Sequence, residues 1–258
     1  QRYSVPVTVP QETNLHLGQD GVEFADFNGD RIPDLTRIQP DRITVLPGLG
    51  YGHFSAVREV FLSSHTFSTD ELGRARLRDI NGDGLADLVL PRAQPGELWF
   101  WENPGNYTLG PLRKITGLPA QFGANAVTRW ADINGNGTTD LVYCDSESVP
   151  RMQAVDIGRL LGCVPAPHLL NRIENGIGGL TRIDYATSTH FALADAAAGA
   201  EWPDPLPFPV HVVQAVHNED GLGSTYSRSF AYHDGYYDGA DKEFRGFARV
   251  EVTEHGDA

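Results

Sequence analysis

A chain of 258 residues is long enough for one large all-β domain or two modest ones and can bury a real core, which excludes a peptide scaffold. Twenty Lys and Arg against 34 Asp and Glu leave a formal charge of −14, which repels a phosphate backbone and excludes nucleic acid as a partner. Twenty-eight Gly, 17 Pro and a single Met describe a turn-rich β protein, not a helical bundle or a disordered tail.

The chain opens on QRYSVPVTVPQ, with no basic n-region, apolar h-region or cleavage site, and without an initiator Met it reads as a piece of something longer. No apolar run approaches the roughly 18 residues needed to span a bilayer. The next feature is a triplicate. Asp26-Phe27-Asn28-Gly29-Asp30-Arg31-Ile32-Pro33-Asp34-Leu35 returns as Asp79-Ile80-Asn81-Gly82-Asp83-Gly84-Leu85-Ala86-Asp87-Leu88 and again as Asp132-Ile133-Asn134-Gly135-Asn136-Gly137-Thr138-Thr139-Asp140-Leu141. The period is 53 residues in both intervals, a repeat and not a coincidence of turns.

Each loop leads into a short apolar strand (LTRI, LVLP, LVYC), and after the first two comes a further run, RITVLPGLGYGHF or GELWFWENPGNYTLG. Short strands and Gly-rich turns at this density predict four-stranded propeller blades. Three copies fall short of the roughly four to eight that close a ring. Either further blades lie outside, or residues 1–20 and 145–170 supply degenerate ones; the fold class expected is all-β, a partial propeller over residues 1–168.

Within each loop, oxygen-bearing side chains stand at positions 1, 3, 5 and 9, with the backbone carbonyl of position 7 between them. Such a set can wrap a hard cation that takes 6 to 8 oxygens, most simply calcium. Gly at position 4 permits the sharp turn, and Leu at position 10 starts the anchoring strand. The loop is not an EF-hand, since position 12 is Arg37, Leu90 or Tyr143, not Glu. Against this stands the plain reading that Asp, Asn and Gly are turn formers.

Residues 21–143 resemble the FG-GAP or VCBS repeats of integrin-like propellers and secreted bacterial proteins. The resemblance implies calcium-loaded turns. The ligands would be Asp26, Asn28, Asp30 and Asp34 with the carbonyl of Ile32; Asp79, Asn81, Asp83 and Asp87 with that of Leu85; and Asp132, Asn134, Asn136 and Asp140 with that of Thr138. Asn136 stands where the other copies have Asp, so the third loop is expected to be the weakest site.

Near residue 170 the texture changes, and residues 169–258 read as a second, β-rich segment. Asn175-Gly176-Ile177-Gly178-Gly179 is turn chemistry and LTRIDYATSTHF alternates as a strand. ALADAAAGA, residues 192–200, is expected to make two helical turns before Trp202-Pro203-Asp204-Pro205 stops it. PFPVHVVQAVHNEDGLGSTYSRSFAYHDGYYDG reads as two strands about a turn at Glu219-Asp220-Gly221, and FRGFARVEVTE as a third, together a β-meander.

The strings NRIENGIGGLTRIDYATSTHF and LPFPVHVVQAVHNEDGLGSTYSRSFAYHDGYYDGADKEFRGFARVEV closely resemble the middle region of the B component of Tc insecticidal toxin complexes. SpvB and large Rhs-type secreted proteins carry a similar region. The resemblance implies a secreted bacterial toxin subunit, not an enzyme. It would join a C-type, Rhs-like component in a hollow shell around a cytotoxic polypeptide, while its propeller docks on a pore-forming A-type component and gates it.

Other residues carry weaker signals. His233, Asp234, Tyr236, Tyr237 and Asp238 gather titratable groups, but Asp234-Gly235 and Asp238-Gly239 suit a hairpin bend better than catalysis. Trp99-Phe100-Trp101 could stack on a sugar, although alternation requires at least one ring to be core. No HExxH, paired-Cys or GxSxG pattern supports zinc or serine chemistry. Cys144 and Cys163 could pair in an oxidising compartment, and Cys144 in LVYC reads first as a small buried residue. The competing functional reading is a calcium-dependent adhesion or carbohydrate-binding propeller; a hydrolase would need converging carboxylates outside the loops.

Overall fold

The computed structural model describes residues 15, 17–92, 96–118, 127–144, 152–162 and 169–256. In chain order the elements are β1 Val22–Ala25, β2 Asp34–Ile38, β3 Arg42–Leu46, β4 Gly48–Gly50, β5 His53–Phe54, β6 Arg58–Phe61, α1 Thr69–Arg74, β7 Arg76–Arg78, β8 Asp87–Arg92, β9 Glu97–Trp101, β10 Leu112–Ile115, β11 Val127–Ala131, β12 Asp140–Cys144 and β13 Met152–Val155. There follow α2 Ile157–Leu161, β14 Arg172–Glu174, β15 Leu180–Thr187, α3 Ser188–Ala197, β16 His211–Glu219, β17 Thr225–Asp238 and β18 Glu243–His255. The chain is all-β, as the sequence indicates. Two compact units divide it: residues 1–131 with 139–155, and residues 132–138 with 156–258.

The first two repeats are four-stranded antiparallel blades, β1-β2-β3-β6 and β7-β8-β9-β10, and the third is the three-stranded sheet β11-β12-β13. Of the stretch 145–170, residues 152–155 complete that third sheet by pairing with β12 and are no blade of their own. The inner strands are apolar on both faces. Leu35, Ile38, Ile43 and Val45 in the first blade and Leu88, Val89, Leu90, Leu98, Phe100 and Trp101 in the second are all buried. One cluster joins one face of each blade, uniting Phe27, Ile38, Ile43 and Val60 with Leu77, Leu88, Leu90 and Trp101, while Leu35 packs with Leu15 and Leu46 in another. Pro91 is tolerated in β8 because β7 pairs only with Asp87, Leu88 and Val89, so no ladder bond is needed from it on that side. Cys163 lies outside the described residues, and with it the Cys144–Cys163 pairing.

The second unit is a five-stranded antiparallel meander, β14-β15-β16-β17-β18, with α3 across it. Phe191 of α3, Trp202, Tyr232 and Phe247 form its core. The expected strand ends earlier than LTRIDYATSTHF suggests, and the helix covers Ser188–Ala197, not residues 192–200. Ser188 makes the switch: its N–H donates to the Val210 carbonyl and its hydroxyl accepts from Val210 N–H, which ends the ladder and starts the helix four residues early. A second correction concerns Asp234-Gly235, which is no hairpin bend. It lies inside β17, where His233 pairs with Arg249 and Gly235 with Phe247. Asp234, at φ 55°, takes the left-handed conformation without breaking the ladder, whose register shifts only between Tyr236 and Tyr237. Only Asp238-Gly239 turns the chain, into β18. Among the described residues no helix is long and apolar enough to cross a membrane.

Candidate functional site

The repeat loops are built bond for bond alike in the first two copies. Position 1 folds over the turn: Asp26 accepts from Gly29 and Arg31 N–H at 2.8 and 2.7 Å, and Asp79 from Gly82 and Gly84 N–H at 2.6 and 2.9 Å. Position 3 accepts from the N–H of position 5, Asn28 from Asp30 and Asn81 from Asp83, each at 2.9 Å. Position 5 accepts from the N–H of position 7, Asp30 from Ile32 and Asp83 from Leu85, each at 2.8 Å. The amide nitrogens of Asn28 and Asn81 donate to Asp30 and Asp83. These nested Asx turns hold positions 4 and 6 left-handed, and Arg31, at φ 66°, occupies the place taken by Gly84 in the second loop.

Position 9 does something different. Asp34 and Asp87 are fully buried, and each bridges the loop to the end of the following hairpin. Asp34 accepts from Phe27 N–H at 3.0 Å and Gly48 N–H at 2.8 Å; Asp87 accepts from Ile80 N–H at 3.3 Å and Asn103 N–H at 2.8 Å. Asn103 carries the link onward, donating to the carbonyls of Phe27 and Ala86, while Ala86 N–H donates to the Asp26 carbonyl. The loops therefore also stitch the first blade to the second.

Burial pushes the Asp34, Asp79 and Asp87 carboxyls up, with repulsion from neighbouring loop carboxylates adding to it; Asp87 is raised to about 8. A hard cation would relieve that repulsion, and the donors present are all oxygens. In the first two loops Asp30 and Asp83 each use two of about four acceptor positions and keep the rest. The donor set thus fits calcium chemically. Among the described residues, however, no three His, Cys, Asp or Glu side chains converge as a metal shell.

The third loop departs from the pattern. Asp132 still accepts from Asn136 and Gly137 N–H, and Asn134 from Asn136 N–H. Asn136 is saturated, its side-chain oxygen accepting from both the N–H and the hydroxyl of Thr138. Asp140 is buried like its counterparts.

His233 is not at a bend but in a half-buried polar cluster that sequence reasoning missed. Its Nδ1 meets an Asp195 carboxylate oxygen at 2.7 Å, and that oxygen also accepts from Trp202 Nε1 at 2.7 Å. Burial works to raise the Asp195 pKa, but the bonds from Trp202 and His233 outweigh it and hold it below the ordinary range. The cluster pins α3 and the Trp202 segment to β17. With a depressed pKa, Asp195 stabilises the fold above the ordinary carboxylate range and loses that contribution as pH falls through its folded pKa. Asp195→Ala should cost about 2–3 kcal/mol at neutral pH and progressively less as pH falls below the ordinary carboxylate range, read by urea denaturation. Trp99, the remaining aromatic candidate, has Arg92 at 4.1 Å and Lys114 at 4.3 Å over its ring, while Phe100 and Trp101 are buried. A sugar-stacking platform is not left open there.

Comparison with known proteins completes the site. The family described as the insecticide toxin TcdB middle/N-terminal region matches residues 103–257, and an FG-GAP-like repeat matches residues 26–90. No curated protein matches. Among solved structures, the TcdB2-TccC3-Cdc42 crystal structure matches at 26% identity with a TM-score of 0.78 over 92% of this chain. TcdB2-TccC3 without its hypervariable C-terminal region matches at 25% identity and 0.79 over 93%. The Photorhabdus luminescens Tc holotoxin pore matches at 23% identity and 0.79 over 93%, a likeness of fold. This chain spans 11% of the length of each of those chains.

Proposed function

The chain belongs to the family of the TcdB middle/N-terminal region, and from that premise we propose that it is a non-enzymatic scaffold segment of a secreted bacterial Tc-type toxin. One observation supports the reading: the chain that carries FG-GAP-like blades followed by a β-meander matches the TcdB2-TccC3-Cdc42 structure over 92% of its length. TcdB2 was crystallised with TccC3 and a related assembly forms a holotoxin pore, which supports a C-type, Rhs-like partner and a pore-forming A-type partner for the parent of this chain. In this reading the meander contributes to the shell, and the blades dock on the A-type component and gate it. The test is co-expression of the parent protein with its C-type component. A stable complex on size exclusion is expected; failure to associate would overturn the reading.

We further propose that the first two loops bind calcium. Asp26, Asn28, Asp30, Asp34 and the Ile32 carbonyl would hold one ion, and Asp79, Asn81, Asp83, Asp87 and the Leu85 carbonyl the other. When bound, the ion supplies positive charge to buried, mutually repelling carboxylates. Binding to the folded state alone adds about 2.7 kcal/mol per site at a hundredfold excess over Kd, so chelation with EGTA should lower the melting temperature by several degrees. An unchanged melting temperature would leave the loops as ordinary Asx turns.

A further inference from the structure

The third loop has the family's spacing but not its donor chemistry, and we propose that it is a metal-free latch, closed by Asp156 and His211 in place of a cation. Position 5 cannot serve as a ligand. Both lone pairs of the Asn136 side-chain oxygen are taken by Thr138, and its nitrogen has only protons to offer. The amide nitrogens of Asn134 and Asn136 both donate to one carboxylate oxygen of Asp156, at 2.9 and 3.2 Å. Asp156 thus supplies from the start of α2 the acceptor that Asp30 and Asp83 supply within their own loops. Its other oxygen caps α2, accepting from Arg159 N–H at 2.8 Å.

The loop backbone is held as well. His211 Nε2 lies 3.0 Å from the Asn136 carbonyl, which can only accept, so the ring donates. Gly135 and Gly137 show how close the seat is: a Cβ on Gly135 would stand 2.6 Å from the Thr189 hydroxyl, and one on Gly137 2.5 Å from the His211 ring. Neither position tolerates a side chain. Each of these contacts lies within the compact unit formed by residues 132–138 and 156–258. The repeat that lost a carboxylate has exchanged a cation turn for a docking turn.

The experiment is calcium titration by calorimetry, combined with melting of Asp156→Asn and Asn136→Asp proteins in EGTA and in calcium. Asp156→Asn keeps an oxygen for the helix cap but loses the carboxylate. It should lower the melting temperature by about 5 °C, equally in both buffers. Asn136→Asp sets a carboxylate against Asp156, so it should melt lower than wild type in EGTA and recover in calcium. Wild type should bind two calcium ions; this count rests on the calcium reading of the first two loops. Zero ions together with a buffer-independent Asp156→Asn effect would reject that reading and still support the latch. Three ions in wild type, or an Asp156→Asn loss seen only in calcium, would overturn it.

Discussion

Asp87→Ala is expected to lower the stability of the blades by about 3–5 kcal/mol. The carboxyl group is fully buried and is the acceptor for two backbone N–H groups, Ile80 and Asn103. Removing it leaves both donors without a partner in a place water does not reach, and each such loss costs about 1–3 kcal/mol. The damage spreads, because Asn103 also ties the carbonyls of Phe27 and Ala86. Asp87→Asn retains one acceptor and turns the other into a donor facing an N–H, so an intermediate loss of about 2 kcal/mol is expected. Urea denaturation followed by the fluorescence of Trp99 and Trp101, which lie in the same sheet, measures both. A loss below about 1 kcal/mol for the alanine variant would mean that Asp87 is not the clamp described.

The second large effect concerns pH. Burial, with repulsion from Asp83 and Asp79, raises Asp87 to about 8 even though the Asn103 and Ile80 N–H bonds pull it down. A carboxyl raised on folding contributes stability that is complete below its unfolded pKa of 3.8 and is lost as pH rises through about 8. Each unit is about 1.4 kcal/mol, so the Asp87 share falls by an amount on the order of several kcal/mol across that window in EGTA. Asp34 and Asp79, also raised by burial, act in the same direction. Glu71 and Asp195, held low, change only below the ordinary carboxylate range and do not mask the trend between about pH 5 and 8. Calcium, if bound in the loops as proposed, would supply the charge that makes the ionised form tolerable, so the slope should flatten when it is added. Stability that rises with pH in EGTA would show that the hydrogen bonds keep Asp87 ionised without help.

Much of this was legible because it is local. The spacing of Asp26, Asn28, Asp30 and Asp34 encodes nested turns whose bonds span two to seven residues, and such chemistry repeats wherever the string repeats. The three long strands of the meander follow from alternation and from turn residues between them. What the sequence hides is the second duty of a residue. Position 9 reads as a ligand, yet its bonds to Gly48 and Asn103 are set by the packing of a hairpin 14 to 16 residues away. Asp195 and His233 are 38 residues apart and meet only because α3 lies across β17. Asp156 looks like a helix cap, and nothing near it in the chain announces Asn134 and Asn136. One signal was available, the loss of a carboxylate at position 5, which marks the third loop as different without saying what replaced it.

The claim that the blades dock while the meander builds shell is tested most directly by a binding measurement on the parent protein assembled with its C-type component. Its affinity for the A-type component is compared with that of a parent lacking the first two blades, residues 21–118, a deletion that spares the loop 132–138 held by the second unit, with size exclusion of the C-type complex as the control for folding. The account predicts that the deletion leaves the C-type complex intact and abolishes A-type binding. Undiminished A-type binding by the deleted protein would contradict it.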